Sequence, residues 1–153
     1  MASPLEPGDK LPTFSLPNHD GETVRSEDLT GRGPFVVYFY PRDDTPGCTV
    51  EACAFRDEFE AFTEAGAAVY GVSADTPDQH RTFREKHNLP FTLLSDRDGT
   101  LSKAFGVKRS FGILPGRVTW VFDADGVVQH RFASQLQPRR HVTEALEVVR
   151  RLS

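Results

Sequence analysis

Apolar positions in this chain come in two rhythms that alternate through its middle. Phe35–Tyr40 reads FVVYFY, a continuous run of six apolar or aromatic residues, and predicts a strand buried on both faces. Pro41 ends it, having no N–H to give to a ladder. Ala52, Phe55, Phe59 and Phe62 then recur at spacings of three and four, the stripe of one helix running to Gly66 as its left-handed terminator. Ala67–Val72 and Phe91–Leu94 are two further apolar runs of strand length. Between them, Thr76-Pro77 predicts an N-cap with proline in the first turn, opening a helix to about Asn88. A short helix over Thr100–Phe105 follows the Asp96–Gly99 turn, and a glycine-spaced loop covers 106–116. Arg117–Phe122 and Val127–Ala133 bracket Asp123-Ala124-Asp125-Gly126, a hairpin pattern. Val142, Ala145, Leu146, Val149 and Leu152 mark an amphipathic terminal helix. Ahead of all this, residues 1–12 are an irregular lead-in. Thr13–Leu16 and Glu22–Val24 flank the polar turn Asn18–Gly21 as a short hairpin, and Ser26–Leu29 forms one helical turn. Strands alternating with helices, then a hairpin and a helix, predict an α/β fold with a mixed sheet.

Composition adds limits. The 153 residues suit one domain, 1–153, with a core that needs no staples. Charged residues make up 26% and the hydrophobic set 38%, ordinary values for a soluble domain. A net charge of −4 argues against a nucleic-acid partner, and no apolar run approaches the roughly 20 residues of a membrane span. The first residues, MASPLEPGDKLP, have no basic stretch followed by an apolar one, so no secretory signal is read there and a cytoplasmic chain is expected. No exposed apolar helix face calls for a second subunit, so a monomer is expected.

The two cysteines carry the chemistry. Cys48 falls in the first turn of the predicted helix, just after Thr45-Pro46-Gly47, where N–H groups and the helix dipole favour an anion. The expectation is a stabilised thiolate. Cys53 lies five residues on. In an intact helix that spacing means about 7.5 Å of rise and roughly 140° of rotation, placing the Cα atoms about 8.6 Å apart. A disulfide needs less than about 7 Å. Either no disulfide forms, or at least one turn of this helix must unwind to make it. The second case suits a cycle in which a Cys48 thiolate becomes a sulfenic acid and Cys53 condenses with it. The first is two buried thiols acting as small hydrophobes. Thr45 likewise has two roles open to it: an N-cap oxygen accepting from the Cys48 N–H, or a donor to the thiolate or to a peroxide oxygen.

Pro41-x-x-x-Thr45-x-x-Cys48 resembles the motif around the peroxidatic cysteine of peroxiredoxins, and TPGCTVEAC is similar to the bacterioferritin-comigratory, or Q-type, subgroup, in which the resolving cysteine lies five residues on, at Cys53. Arg117 in RVTWVFDADG matches the family's second-site arginine, and GDKLPTFSL, GVSAD, PFTLLSD and KAFGV extend the likeness in order along nearly the whole chain. The resemblance implies a thioredoxin-like fold, with a central mixed sheet flanked by helices and an N-terminal hairpin. It also implies a cofactor-free thiol peroxidase acting on hydrogen peroxide and organic hydroperoxides, with a thioredoxin-like dithiol as reductant. Cys48, Cys53, Thr45, Arg117 and Pro41 would be its site residues. In that setting Arg117 is a permanent cation with planar donors. Pro41 shields the thiolate from water. Glu51 either orients Arg117 or compensates the helix dipole.

Other constellations are weak. The histidines at 19, 80, 87, 130 and 141 have no H-x-x-x-H spacing and the cysteines are not C-x-x-C, so zinc is not expected. The Asp96 and Asp123 turns begin like calcium loops but have Val107 and Ser134 where the twelfth-position glutamate belongs. Two rival functions remain: a disulfide oxidoreductase, which the missing C-x-x-C disfavours, and a redox-sensing protein whose helix unwinds to expose a partner surface.

Overall fold

The computed structural model describes residues 4–107, 109–110, 114–134 and 136–152. A five-stranded mixed sheet in the order β5-β4-β3-β8-β9 forms its centre: β3 Phe35–Phe39, β4 Ala68–Ser73, β5 Thr92–Ser95, β8 Val118–Phe122 and β9 Val128–Ala133. β3 is the middle strand, parallel to β4 and antiparallel to β8. Its unbroken apolar run follows from that position. Val36, Tyr38 and Tyr40 join the core on one face with Phe55, Phe62, Phe83 and Phe91. Phe35, Val37 and Phe39 join the core on the other with Phe105, Trp120 and Phe122. Each large side chain removed from water in this way contributes roughly 1.5–3 kcal/mol.

The N-terminal hairpin pairs β1 (Ser15–Pro17) with β2 (Thr23–Arg25), and α1 (Ser26–Leu29) is the expected single turn. α2 (Pro46–Asp57) and α3 (Phe59–Glu64) replace the single predicted helix. The apolar stripe is continuous, but Glu58 leaves the helical range at ψ 5° while its N–H still reaches the Ala54 carbonyl. Periodicity reports the shared buried face and is blind to a one-residue change in ψ. α4 (Pro77–His87) starts as expected: the Thr76 hydroxyl accepts the Gln79 N–H and the Gln79 side chain accepts the Thr76 N–H, a capping box. It ends on Asn88 in the left-handed conformation, φ 51°. α5 (Thr100–Phe105) matches its predicted span, and α6 (Pro138–Leu152) packs against α2, β8 and β9. Of the glycine-spaced stretch, β6 (Arg109–Ser110) pairs with β7 (Leu114–Pro115), while 108 and 111–113 lie outside the described residues. The Asp96 and Asp123 segments are turns closed by their own backbone, Gly99 N–H to the Asp96 carbonyl and Gly126 N–H to that of Asp123.

Candidate active site

The carboxyl end of β3 delivers the site. Tyr40 N–H still bonds the Val72 carbonyl, and Pro41 then releases the chain from the sheet. The turn 42–45 passes through Asp44 at φ 63°, a strained value for a residue with a Cβ, and α2 begins at Pro46. Cys48 therefore lies in the first turn of α2, 1% exposed. Arg117 enters from the start of β8, 5% exposed, with Nη2 3.5 Å from the Cys48 sulfur and Nη1 donating to Glu51 Oε1 at 2.6 Å. Gly47 makes the room: a Cβ there would stand 2.9 Å from Arg117 Nη2.

Thr45 occupies the N-cap position, but its side chain makes no cap bond. The capping role is thus corrected. The hydroxyl donates to the Arg42 carbonyl at 3.0 Å and lies close enough to the Cys48 sulfur to favour its anion. Glu51 is resolved as well. It is fully buried on Arg117, so it orients the guanidinium and is no solvated acid at a helix end.

The expectation of a net stabilised thiolate needs a second correction. Burial pushes the Cys48 thiol up, outweighing Arg117, a backbone hydrogen bond at Arg42 and the Thr45 hydroxyl, each of which pulls it down. Sequence reveals the helix start and the cation but not the depth of the sulfur. Burial also pushes Glu51 up to about 8, against the pull of Arg117. At neutral pH the Glu51 carboxyl thus tends to keep its proton.

His141 completes the buried group, and sequence reasoning missed it. It sits on the apolar face of α6, fully buried. Its Nε2–H donates to the Ser134 carbonyl at 2.7 Å, its Nδ1 lies 2.7 Å from Thr119 Oγ1, and it is 3.7 Å from Glu51 Oε2. Burial, with Arg117 adding to it, lowers His141 to about 4, so the ring is neutral and accepts from the Thr119 hydroxyl. The available signal was its spacing: 141, 145, 148 and 152 share a helical face that is otherwise apolar.

Cys53, half-buried on α2, lines an open groove of about 370 Å³ between α2 and α6 with Val50, Asp57, Arg139 and Val142. Both cysteines are free thiols within one helix. Elsewhere among the described residues, Asp43, Asp75 and His80 bring potential ligand atoms within 4.8 Å of one another, and hydrogen bonds link Asp43 to both of the others.

Residues 7–131 match the AhpC/TSA family. Chloroplastic peroxiredoxin Q from Populus jackii is 49% identical over 146 residues, covering 95% of this chain and 68% of the relative. The same identity holds for the peroxiredoxin Q of Oryza sativa subsp. japonica, over 95% of this chain and 67% of the relative. Among solved structures, the peroxidoxin BcpB of Mycobacterium tuberculosis superposes with a TM-score of 0.90 at 38% identity, over 97% of this chain and 99% of that one. A bacterioferritin comigratory protein of Xanthomonas campestris, described for its alkyl peroxide reduction activity, reaches 0.84 at 29% identity over 98% of each chain. The sheet order, a cysteine at the head of α2 and an arginine crossing to it from β8 thus occur in a chain that belongs to the AhpC/TSA family, as a Q-type peroxiredoxin of thioredoxin-like fold and a thiol-dependent peroxidase.

Proposed function

We propose that Cys48 is the peroxidatic cysteine and Cys53 the resolving one, in a cycle closed by an intramolecular disulfide. The observation that carries the reading is the contact of Arg117 Nη2 with the Cys48 sulfur at the start of α2. The Cys48 thiolate attacks one peroxide oxygen. An S–O bond forms, the O–O bond breaks, and the departing oxygen takes a proton to leave as water or an alcohol. Arg117 and the Thr45 hydroxyl stand where charge develops on the departing oxygen. Pro41, at the β3 exit, keeps bulk water off the sulfur. Cys53 then attacks the sulfenic sulfur, expelling the oxygen as water and forming the S–S bond. Two thiols in one helix support an order of events in which unwinding precedes this step. A thioredoxin-type dithiol returns both sulfurs to thiols by exchange. Hydrogen peroxide and organic hydroperoxides are the substrates. A reducing compartment, the cytoplasm in this reading, and a monomer suit an intrachain cycle.

Counting free thiols before and after one equivalent of peroxide tests this. The protein should go from two thiols to none, with a Cys48–Cys53 disulfide found by peptide mass analysis. Cys53→Ser should consume one equivalent and accumulate sulfenic or over-oxidised Cys48. Two thiols surviving peroxide would overturn the assignment.

A further inference from the structure

We propose that His80 is a positioning residue for the peroxidatic loop, holding Asp43, and through it Thr45 and the head of α2, in the geometry needed for attack on peroxide. The inference rests on the reading of Cys48 as peroxidatic. His80 lies on α4, fully buried. Its Nε2 is 2.9 Å from the Leu94 carbonyl, which can only accept, so Nε2 carries a hydrogen. Its Nδ1 is 2.6 Å from Asp43 Oδ2, a hydrogen-bond distance. The ring is thereby fixed at both ends, between a strand of the sheet and the loop that precedes α2.

Asp43 is held from every other side too. Its Oδ1 accepts from the Tyr40 hydroxyl at 2.5 Å, and its own N–H donates to Asp75 Oδ2 at 2.8 Å. Burial, and then the Asp43 carboxylate, keep the Tyr40 phenol well above its usual range, so it remains a donor. Asp75 is fastened in turn by the Ser73 hydroxyl at 2.5 Å, and the Ser95 hydroxyl bonds the Asp75 carbonyl. The carboxyl ends of the three parallel strands β3, β4 and β5 are thus joined on one residue, two positions before Thr45. The next residue, Asp44, stands at φ 63° and is held from the far end of α4 only by exposed pairs, Lys86 at 2.7 Å and His87 at 3.4 Å. Surface pairs such as the latter contribute little, whereas a buried, doubly bonded histidine fixes geometry. Displacements on the order of 1 Å at a reacting centre can cost about 100-fold in rate.

The test uses His80→Gln, His80→Ala and the near-isosteric Asp43→Asn in the full chain. It measures the second-order rate constant for hydrogen peroxide, the pH profile of Cys48 alkylation by iodoacetamide in a Cys53→Ser background, and Tm. We expect attack to slow at least about tenfold in His80→Ala and Asp43→Asn, with the alkylation midpoint moved to higher pH as the Thr45 and Arg42 contacts loosen. His80→Gln, which keeps one of the two bonds, should recover part of the loss. The His80→Ala/Asp43→Asn double variant should be no slower than the worse single one, because the two act as a unit. Variants that lower Tm but keep the wild-type rate constant and alkylation profile would overturn the proposal. So would loss of fold in all of them, which would make the pair a folding element. Cys48→Ser is measured alongside. Retained activity there would sink the Cys48 assignment, whereas an inactive Cys48→Ser with unaffected His80 variants would sink only the positioning role.

Discussion

Arg117 stands between two groups that both gain from its charge, Cys48 at 3.5 Å and Glu51 at 2.6 Å, and burial makes them compete. If both acids ionise, one guanidinium must offset two anions away from water, so the proton that Glu51 retains matters to the sulfur. The folded-state value of about 8 for Glu51, against 4.5 for the free carboxyl, has a definite sign in stability. The folded protein holds this proton more tightly than the unfolded chain does. The contribution is fully present below pH 4.5 and is lost as pH rises toward 8. His141 acts oppositely: lowered from 6.5 to about 4, it costs stability as pH falls through that window. Glu51→Gln removes the first dependence. Relative to wild type it should gain on the order of 1 kcal/mol or more between pH 5 and pH 8, read as a Tm difference that grows with pH by at least about 2 °C. A pH-independent difference would mean that Glu51 is ionised throughout. Cys48, Thr45 and Arg117 were legible from sequence because motif spacing carries them. His80 and His141 were not, because each draws its partners from segments 7 to 37 residues away that only the sheet brings together.

At the scale of the element, the proposed cycle asks α2 to hold a sulfur in place and also to give way. Its first turn is weakened by composition: Gly47 lacks a side chain, and Thr49 and Val50 are β-branched. Apolar periodicity located this helix, yet its break at Glu58 and the hydroxyl turned inward at Thr45 depend on local dihedrals that no spacing encodes. Thr49 and Val50 lie on the partly exposed side, lining the groove by Cys53, so they can be replaced without touching Cys48 or Arg117. Thr49→Ala with Val50→Ala should raise the cost of unwinding by about 1 kcal/mol and slow disulfide formation roughly fivefold. Peroxide attack, which needs the helix intact, should keep its rate. The measurement is stopped-flow fluorescence of Trp120, the only tryptophan in the chain, resolving the two phases. Equal slowing of both phases, or of neither, would show that unwinding does not limit resolution.

For the whole molecule, the sheet was legible because β3 is buried on both faces and reads as an unbroken apolar run, while the order in which its neighbours flank it was not, since pairing partners leave no mark on a single strand. That arrangement sets what oxidation costs. α2 packs on α6 and the sheet through Ala52 and Phe55, and its head carries the buried Glu51–Arg117 pair. A Cys48–Cys53 bond closes a loop of about six residues, which in the chain-entropy picture stabilises by roughly 2 kcal/mol. Making it unwinds the turns that hold Glu51 against Arg117, so a hydrogen bond to a charged group, about 1.5–3 kcal/mol, is lost together with the buried packing of Ala52. The loss outweighs the gain. The oxidised protein should therefore melt below the reduced one despite its extra covalent link, by about 3 °C or more for a chain of this size. Calorimetry of wild type before and after one equivalent of peroxide reads this directly, with Cys53→Ser as the control in which no crosslink forms. An oxidised form that melts above the reduced one would mean that the bond forms without giving up the packing of α2, and that the helix head is less a hinge than its spacing requires.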